Sequence, residues 1–147
     1  MVDKAVITYW DNLDPKNSIR KGIYLHKKGG RKRVEAFLIY GKLQELKNTY
    51  KSQFDIETLA WLINNAMCVG FYKFCEVDET RNLNCDNGDN GVYLVKDWEI
   101  VGRKYETKSF YDSFDLLEFL ISIDENMPKH ARLGEDYIRK NYLEPSF

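Results

Sequence analysis

Five short runs of β-branched and aromatic residues, grouped in two blocks between stretches of helical periodicity, constrain this fold more than any other feature. Ala5-Val6-Ile7-Thr8-Tyr9-Trp10 reads as a strand ended by Asp11-Asn12-Leu13-Asp14-Pro15, and Gly22-Ile23-Tyr24-Leu25-His26 as a second, stopped by Lys27-Lys28-Gly29-Gly30. The two are placed to pair antiparallel across the polar loop. Gly70 to Val77, Gly91 to Val95 and Trp98 to Val101 supply three more strands, the last two joined by a tight connection at Lys96-Asp97.

The helical stretches follow the 3.6-residue period. From Arg31 to about Asn48, Val34, Phe37, Leu38, Leu43 and Leu46 recur at mostly helical spacing, and Gly41 weakens the middle by about 1 kcal/mol relative to Ala. Ser52-Gln53-Phe54-Asp55 has the spacing of a capping box with Asp in place of Glu. Ile56, Leu59, Ala60, Ile63 and Met67 then mark one face until Gly70. Asp112 or Ser113 is expected to cap a third helix through Asn126, with Phe114, Leu117 and Ile121 on one stripe and Leu116, Leu120 and Ile123 beside them. Pro128 ends it, and a short last helix from about Glu135 to Leu143 completes the series. Strands and helices are grouped rather than strictly alternating. The expected fold is α+β: a mostly antiparallel sheet of about five strands with three to four helices, in one domain spanning residues 1–147. The composition, 44% hydrophobic and 31% charged with three Pro, agrees with a single globular core and argues against disorder or a fibrous repeat.

Net charge is −1, which removes an overall electrostatic argument for nucleic acid or an anionic membrane. Its distribution is uneven. Residues 1–51 carry 12 Lys or Arg against 5 Asp or Glu, whereas residues 52–100 carry 3 against 9. Either the positive third folds against the negative third, or a basic patch is left to meet an acidic or nucleic-acid partner. Tyr is common, at ten residues, and aromatics reach 14%, a composition that hints at an interface. No window approaches the roughly 20 apolar residues of a membrane span, and the first residues lack the basic head and apolar run of a secretory signal. An unexported chain with reduced thiols is the expectation.

Lys27, Lys28, Arg31, Lys32 and Arg33 surround Gly29-Gly30 at a helix start. Cations there oppose the helix dipole at about 0.3–1 kcal/mol each, so helix stability does not explain the run. Backbone N–H groups plus Arg make an anion site for phosphate or a carboxylate-rich surface, and a solvated loop is the plainer alternative. Cys68, Cys75, Cys85 and His26 have the ligand types of a structural zinc site, but no CxxC knuckle is present. Buried thiols are the simpler expectation, and no cofactor is required. Asp86-Asn87-Gly88-Asp89-Asn90-Gly91 resembles the start of a calcium loop but has Gly88 where an oxygen ligand belongs, so an Asn-Gly hairpin turn accounts for it better. His26 forms a hydrolase pair with Asp86 or Asp89 only if the fold joins them. No Walker loop, dinucleotide fingerprint or nucleophile elbow occurs. The expected activity is binding rather than catalysis.

Gly22-Ile23-Tyr24-Leu25-His26 followed by Gly29-Gly30, then Val34-Glu35-Ala36-Phe37-Leu38, then Asp89 to Val95 and Asp97 to Arg103, together resemble small uncharacterised proteins of phages and prophages of Gram-positive bacteria. The resemblance covers roughly residues 5–103. It implies action in the cytoplasm of a bacterial host, and proteins of this size and origin include anti-CRISPR proteins that block Cas9 by binding. The partner it implies is a host defence protein, Cas9 or its guide complex, with nucleic acid as the alternative and no membrane. In that setting Arg31, Lys32 and Arg33 meet an acidic surface or RNA backbone, or Asp86 and Asp89 enter a basic channel. Only residues 76–99 are acidic enough to imitate a phosphate track.

Overall fold

The first strand, β1 (Ala5–Tyr9), is sealed on both faces: Ala5, Val6, Ile7 and Thr8 have no exposed surface. A strand covered on both sides reads as a continuous apolar run rather than an alternation, and its place in the sheet explains why. In the computed structural model, which describes residues 3–47, 54–67, 73–107 and 113–142, five strands lie in the order β3-β2-β1-β4-β5. The others are β2 (Lys21–Leu25), β3 (Cys75–Glu79), β4 (Val92–Lys96) and β5 (Glu99–Lys104). The expected β1/β2 antiparallel pair forms, with Val6 opposite Tyr24. β2/β3 and β4/β5 are also antiparallel, while β1 and β4 run parallel. The sheet is thus mostly antiparallel, and the fold is α+β.

Four helices follow the apolar stripes: α1 (Arg31–Lys47), α2 (Ile56–Ala66), α3 (Leu116–Glu125) and α4 (Glu135–Asn141). They gather on one face of the sheet. There α2 packs on β2 and β3, α1 meets β5, and α3 and α4 build outward from α1. Ile7, Ile23, Leu25, Tyr93 and Val95 from the sheet meet Phe37, Tyr40, Leu59, Ile63 and Leu120 from the helices in one buried cluster. Gly41 has a packing reason: a Cβ there would stand 2.2 Å from the Trp98 ring. Its helix-propensity cost is what lets the indole lie against α1.

The other face is covered by loops. Val6, Val92, Leu94 and Cys85 form a small second cluster, with Tyr24, Leu83 and Tyr105 at its margin. Around it, segments 10–20 and 80–91 are stitched by polar groups. Buried Asn12 donates through Nδ2 to Thr8 Oγ1 (3.3 Å) and to Thr80 Oγ1 (3.1 Å). The Thr8 hydroxyl donates to the Lys21 carbonyl, and the Thr80 N–H to the Arg20 carbonyl.

Several boundaries move. Asp55, not Ser52, caps α2, its carboxylate accepting from Thr58 N at 3.1 Å; Ser52 and Gln53 lie outside the described residues. Asp115 rather than Ser113 caps α3, and Asp112 lies outside the described residues. The third strand begins at Cys75, later than expected, and residues 70–72 are not described. Trp98 is in the β4/β5 turn with φ +68° rather than in the strand. Leu46, expected in the core, is 62% exposed. The Asn-Gly segment is not a hairpin: β3 pairs with β2 and β4 with β1, so residues 80–91 cross the sheet face between strands that do not touch.

Candidate functional site

The basic run and the acidic turn come to the same end of the sheet, on either side of the chain entering β1. Gly29 N donates to the Asp3 carbonyl at 2.7 Å, and Lys4 N donates to Asp89 Oδ2 at 3.1 Å. Asn90 reaches both Asp3 and the Lys4 carbonyl through its side-chain amide. Asn87 Oδ1 accepts from the N–H groups of Asp89 and Gly91, closing the turn on itself. Asp89 is therefore a buried structural carboxylate, while Asp86 stays exposed, 3.4 Å from Lys16 Nζ.

The cations at the start of α1 are largely spent inside the molecule. Arg31 Nε lies 2.7 Å from Glu35 Oε1, one turn along the same helix. Lys32 Nζ donates to the Phe114 carbonyl at 2.8 Å and lies over the Phe114 ring. The Arg33 guanidinium sits 4.9 Å and 4.8 Å from the ring centres of Phe114 and Phe119. Cation–π attraction to the residues leading into α3 is what offsets the unfavourable dipole, and this use was hidden because the partners lie some 80 residues away. Lys27 and Lys28 remain exposed in the loop before the helix.

Of the four zinc candidates, the three described residues, Cys75, Cys85 and His26, do not come together. Cys75 lies in the helix-side cluster, with Sγ 3.6 Å from the Ala60 carbonyl, and Cys85 lies in the loop-side cluster, with Sγ 3.5 Å from the Thr80 carbonyl. The sheet separates them. Burial pushes the Cys75 thiol up to about 12 and raises that of Cys85, so both favour the protonated form, whereas zinc needs thiolate. His26 is exposed, with Nε2 3.4 Å from Glu76 Oε1 and its ring edge-on to Tyr24, and Cys68 lies outside the described residues. Among the described residues no group of three or more His, Cys, Asp or Glu is placed to hold a metal. No helix there is long and apolar enough to cross a membrane.

A further feature was not expected from the sequence. Between α2 and β3 lies an open groove of about 600 Å³, lined by Glu57, Trp61 and Asn64 from the helix and by Glu76, Val77 and Asp78 from the strand, with Lys73 at one end. Glu57, Glu76 and Asp78 are exposed, and Trp61 is 41% exposed. Lys21 Nζ reaches Glu57 Oε1 at 2.8 Å from the adjoining strand. With the Lys16–Asp86 pair, this contact joins the positive third of the chain to the negative third. The groove keeps an acidic surplus. A run of alternating charges in a strand is the signal that marks such a margin, but only the topology shows β3 to be an edge.

No family model matches the sequence, and comparison with curated proteins and with solved structures finds no significant match.

Proposed function

We propose that this chain is a non-enzymatic binding protein that occupies a basic, nucleic-acid-handling surface of a host defence nuclease, as a phage-encoded anti-CRISPR protein blocking Cas9 would. The observation that carries this reading is the disposition of charge. Exposed Glu57, Glu76 and Asp78 border one open groove and outnumber the cations there, Lys21 beside Glu57 and Lys73 at one end, while Lys32 and Arg33 are turned onto the Phe114 and Phe119 rings. The guide and target strands of a Cas9-type enzyme run in a positively charged channel, so an acidic margin suits it better than a basic loop does. Of the acidic residues expected to act, Asp86 keeps an exposed carboxylate and Asp89 does not.

The test is affinity capture of the tagged protein from a bacterial lysate, with and without nuclease digestion, followed by mass spectrometry. A single defence nuclease retained after digestion, and lost from the double variant Glu76→Lys/Asp78→Lys, supports the reading. Recovery of nucleic acid alone, lost on digestion, sinks it in favour of direct nucleic-acid binding through Lys27 and Lys28.

A further inference from the structure

Resting on the reading that the acidic margin is the binding face, we propose that the groove between α2 and β3 accepts an extended, basic segment of the partner protein as an added β-strand. β3 is the last strand on its side of the sheet. Its outward-facing groups follow from the ladder. Thr80 N donates to the Arg20 carbonyl, which puts residue 80 in a position bonded toward β2; alternation then turns Asp78 and Glu76 toward β2 and turns Cys75, Val77 and Glu79 away from it.

The outward groups on either side of Val77 already have partners that imitate a neighbouring strand. The Asn64 carboxamide accepts from Phe74 N (2.8 Å) and Cys75 N (2.9 Å) and donates to the Cys75 carbonyl (3.4 Å), doing with a side chain what a backbone amide would do. Glu79 N is closed by the Asp78 carboxylate at 2.7 Å. Between these two caps, no group among the described residues pairs with the outward N–H and C=O of Val77. The open window is short and faces the groove.

Charge selects the occupant. A second copy of this chain adding its own β3 would set Glu76 and Asp78 beside the same carboxylates, and like charges on neighbouring strands repel. A strand with Lys or Arg at alternate positions instead places cations beside Glu76 and Asp78, on the face of β3 away from α2, and turns its other side chains toward α2 and the exposed Trp61 ring. Its intervening apolar side chains would lie over Ala60 and Val77.

The probe is a fluorescent hexapeptide, acetyl-Lys-Val-Lys-Val-Arg-Val-amide, titrated against the whole protein and compared with two relatives: one N-methylated at every residue, so that neither edge can donate, and one with Glu in place of each cation. The expected result is binding of the unmodified peptide only, a shift of the Val77 amide resonance, and a loss of about tenfold or more in affinity for Glu76→Lys/Asp78→Lys. Equal binding of the N-methylated peptide overturns the added strand, because charge attraction survives methylation and backbone pairing does not. Absence of binding at millimolar peptide overturns the site. Neither result depends on which protein a lysate yields, so a failed nuclease capture and a failed groove remain distinguishable.

Discussion

The two faces of the sheet are built by different physics. On the helical face, large apolar side chains from four helices meet the strands, and Phe37, Leu59, Ile63 and Leu120 have no exposed surface. On the other face, four buried side chains form a small cluster, and the loops over them are held by Asn12, Thr8, Thr80 and Asn87 through hydrogen bonds. Apolar burial is non-directional and tolerates small movements, whereas a buried amide bonded to two hydroxyls does not. The helical face should therefore carry most of the stability and the loop face most of the local order. The loop layer should also open without global unfolding.

The largest effect expected is on the helical side. Phe37→Ala removes a fully buried ring that packs 5.9 Å from Phe119 and should cost about 3–5 kcal/mol, read as a shift in the urea midpoint with an unchanged slope. A loss below about 2 kcal/mol would mean that the helices rest on the sheet less firmly than their burial implies.

Thiol labelling compares the faces directly. In native conditions Cys85 should be alkylated about a hundredfold faster than Cys75, because the loop layer opens alone whereas Cys75 waits for α2 and β3 to part. Site-resolved mass spectrometry separates them, and equal rates would show that the two layers open as one unit. The pH dependence has a definite sign. The folded Cys75 thiol ionises near 12, above its ordinary value of 9.0, so its protonated form is favoured by the fold. Its contribution is complete below pH 9 and falls as pH rises toward 12, by about 1.4 kcal/mol for each unit separating the two values. Cys75→Ser should flatten the loss of stability in that window.

Asn12→Ala should cost about 1–3 kcal/mol, since it leaves the buried Thr8 and Thr80 hydroxyls without their shared donor. Thr80→Val in the same background should cost only its remaining bond, from the Thr80 hydroxyl to the Ser18 carbonyl. A double-mutant cycle with coupling above about 0.5 kcal/mol would establish that the polar network acts as a unit, and strict additivity would break it into independent contacts.

Legibility in the sequence divides along the same line. The apolar stripes of α2 and α3 and the antiparallel β1/β2 pair were visible because they depend on residues close in sequence. Three things were not. Lys32 and Arg33 resembled an anion site because their partner, Phe114, lies beyond any local window. The loop layer was invisible because Asn and Thr signal turns and do not reveal which sheet face a turn will cover. The groove depended on β3 being an edge, and strand order is set by topology rather than by any run of residues.

The smallest effect contrasts two glycines. Gly41→Ala improves helix propensity by about 1 kcal/mol yet drives a methyl into the Trp98 ring, so its net effect is unfavourable and belongs to the helical core. Gly88→Ala meets no atom within 4 Å, and its only penalty is the backbone, held at φ +78° in the loop layer. That conformation costs an L-residue about 1 kcal/mol, and the cost falls on a segment expected to open by itself. Amide exchange should therefore quicken over residues 86–91 in Gly88→Ala while α1 and β1 keep their native protection. If exchange instead quickens throughout the sheet, the loops are integral to the core, and the division between its two faces fails.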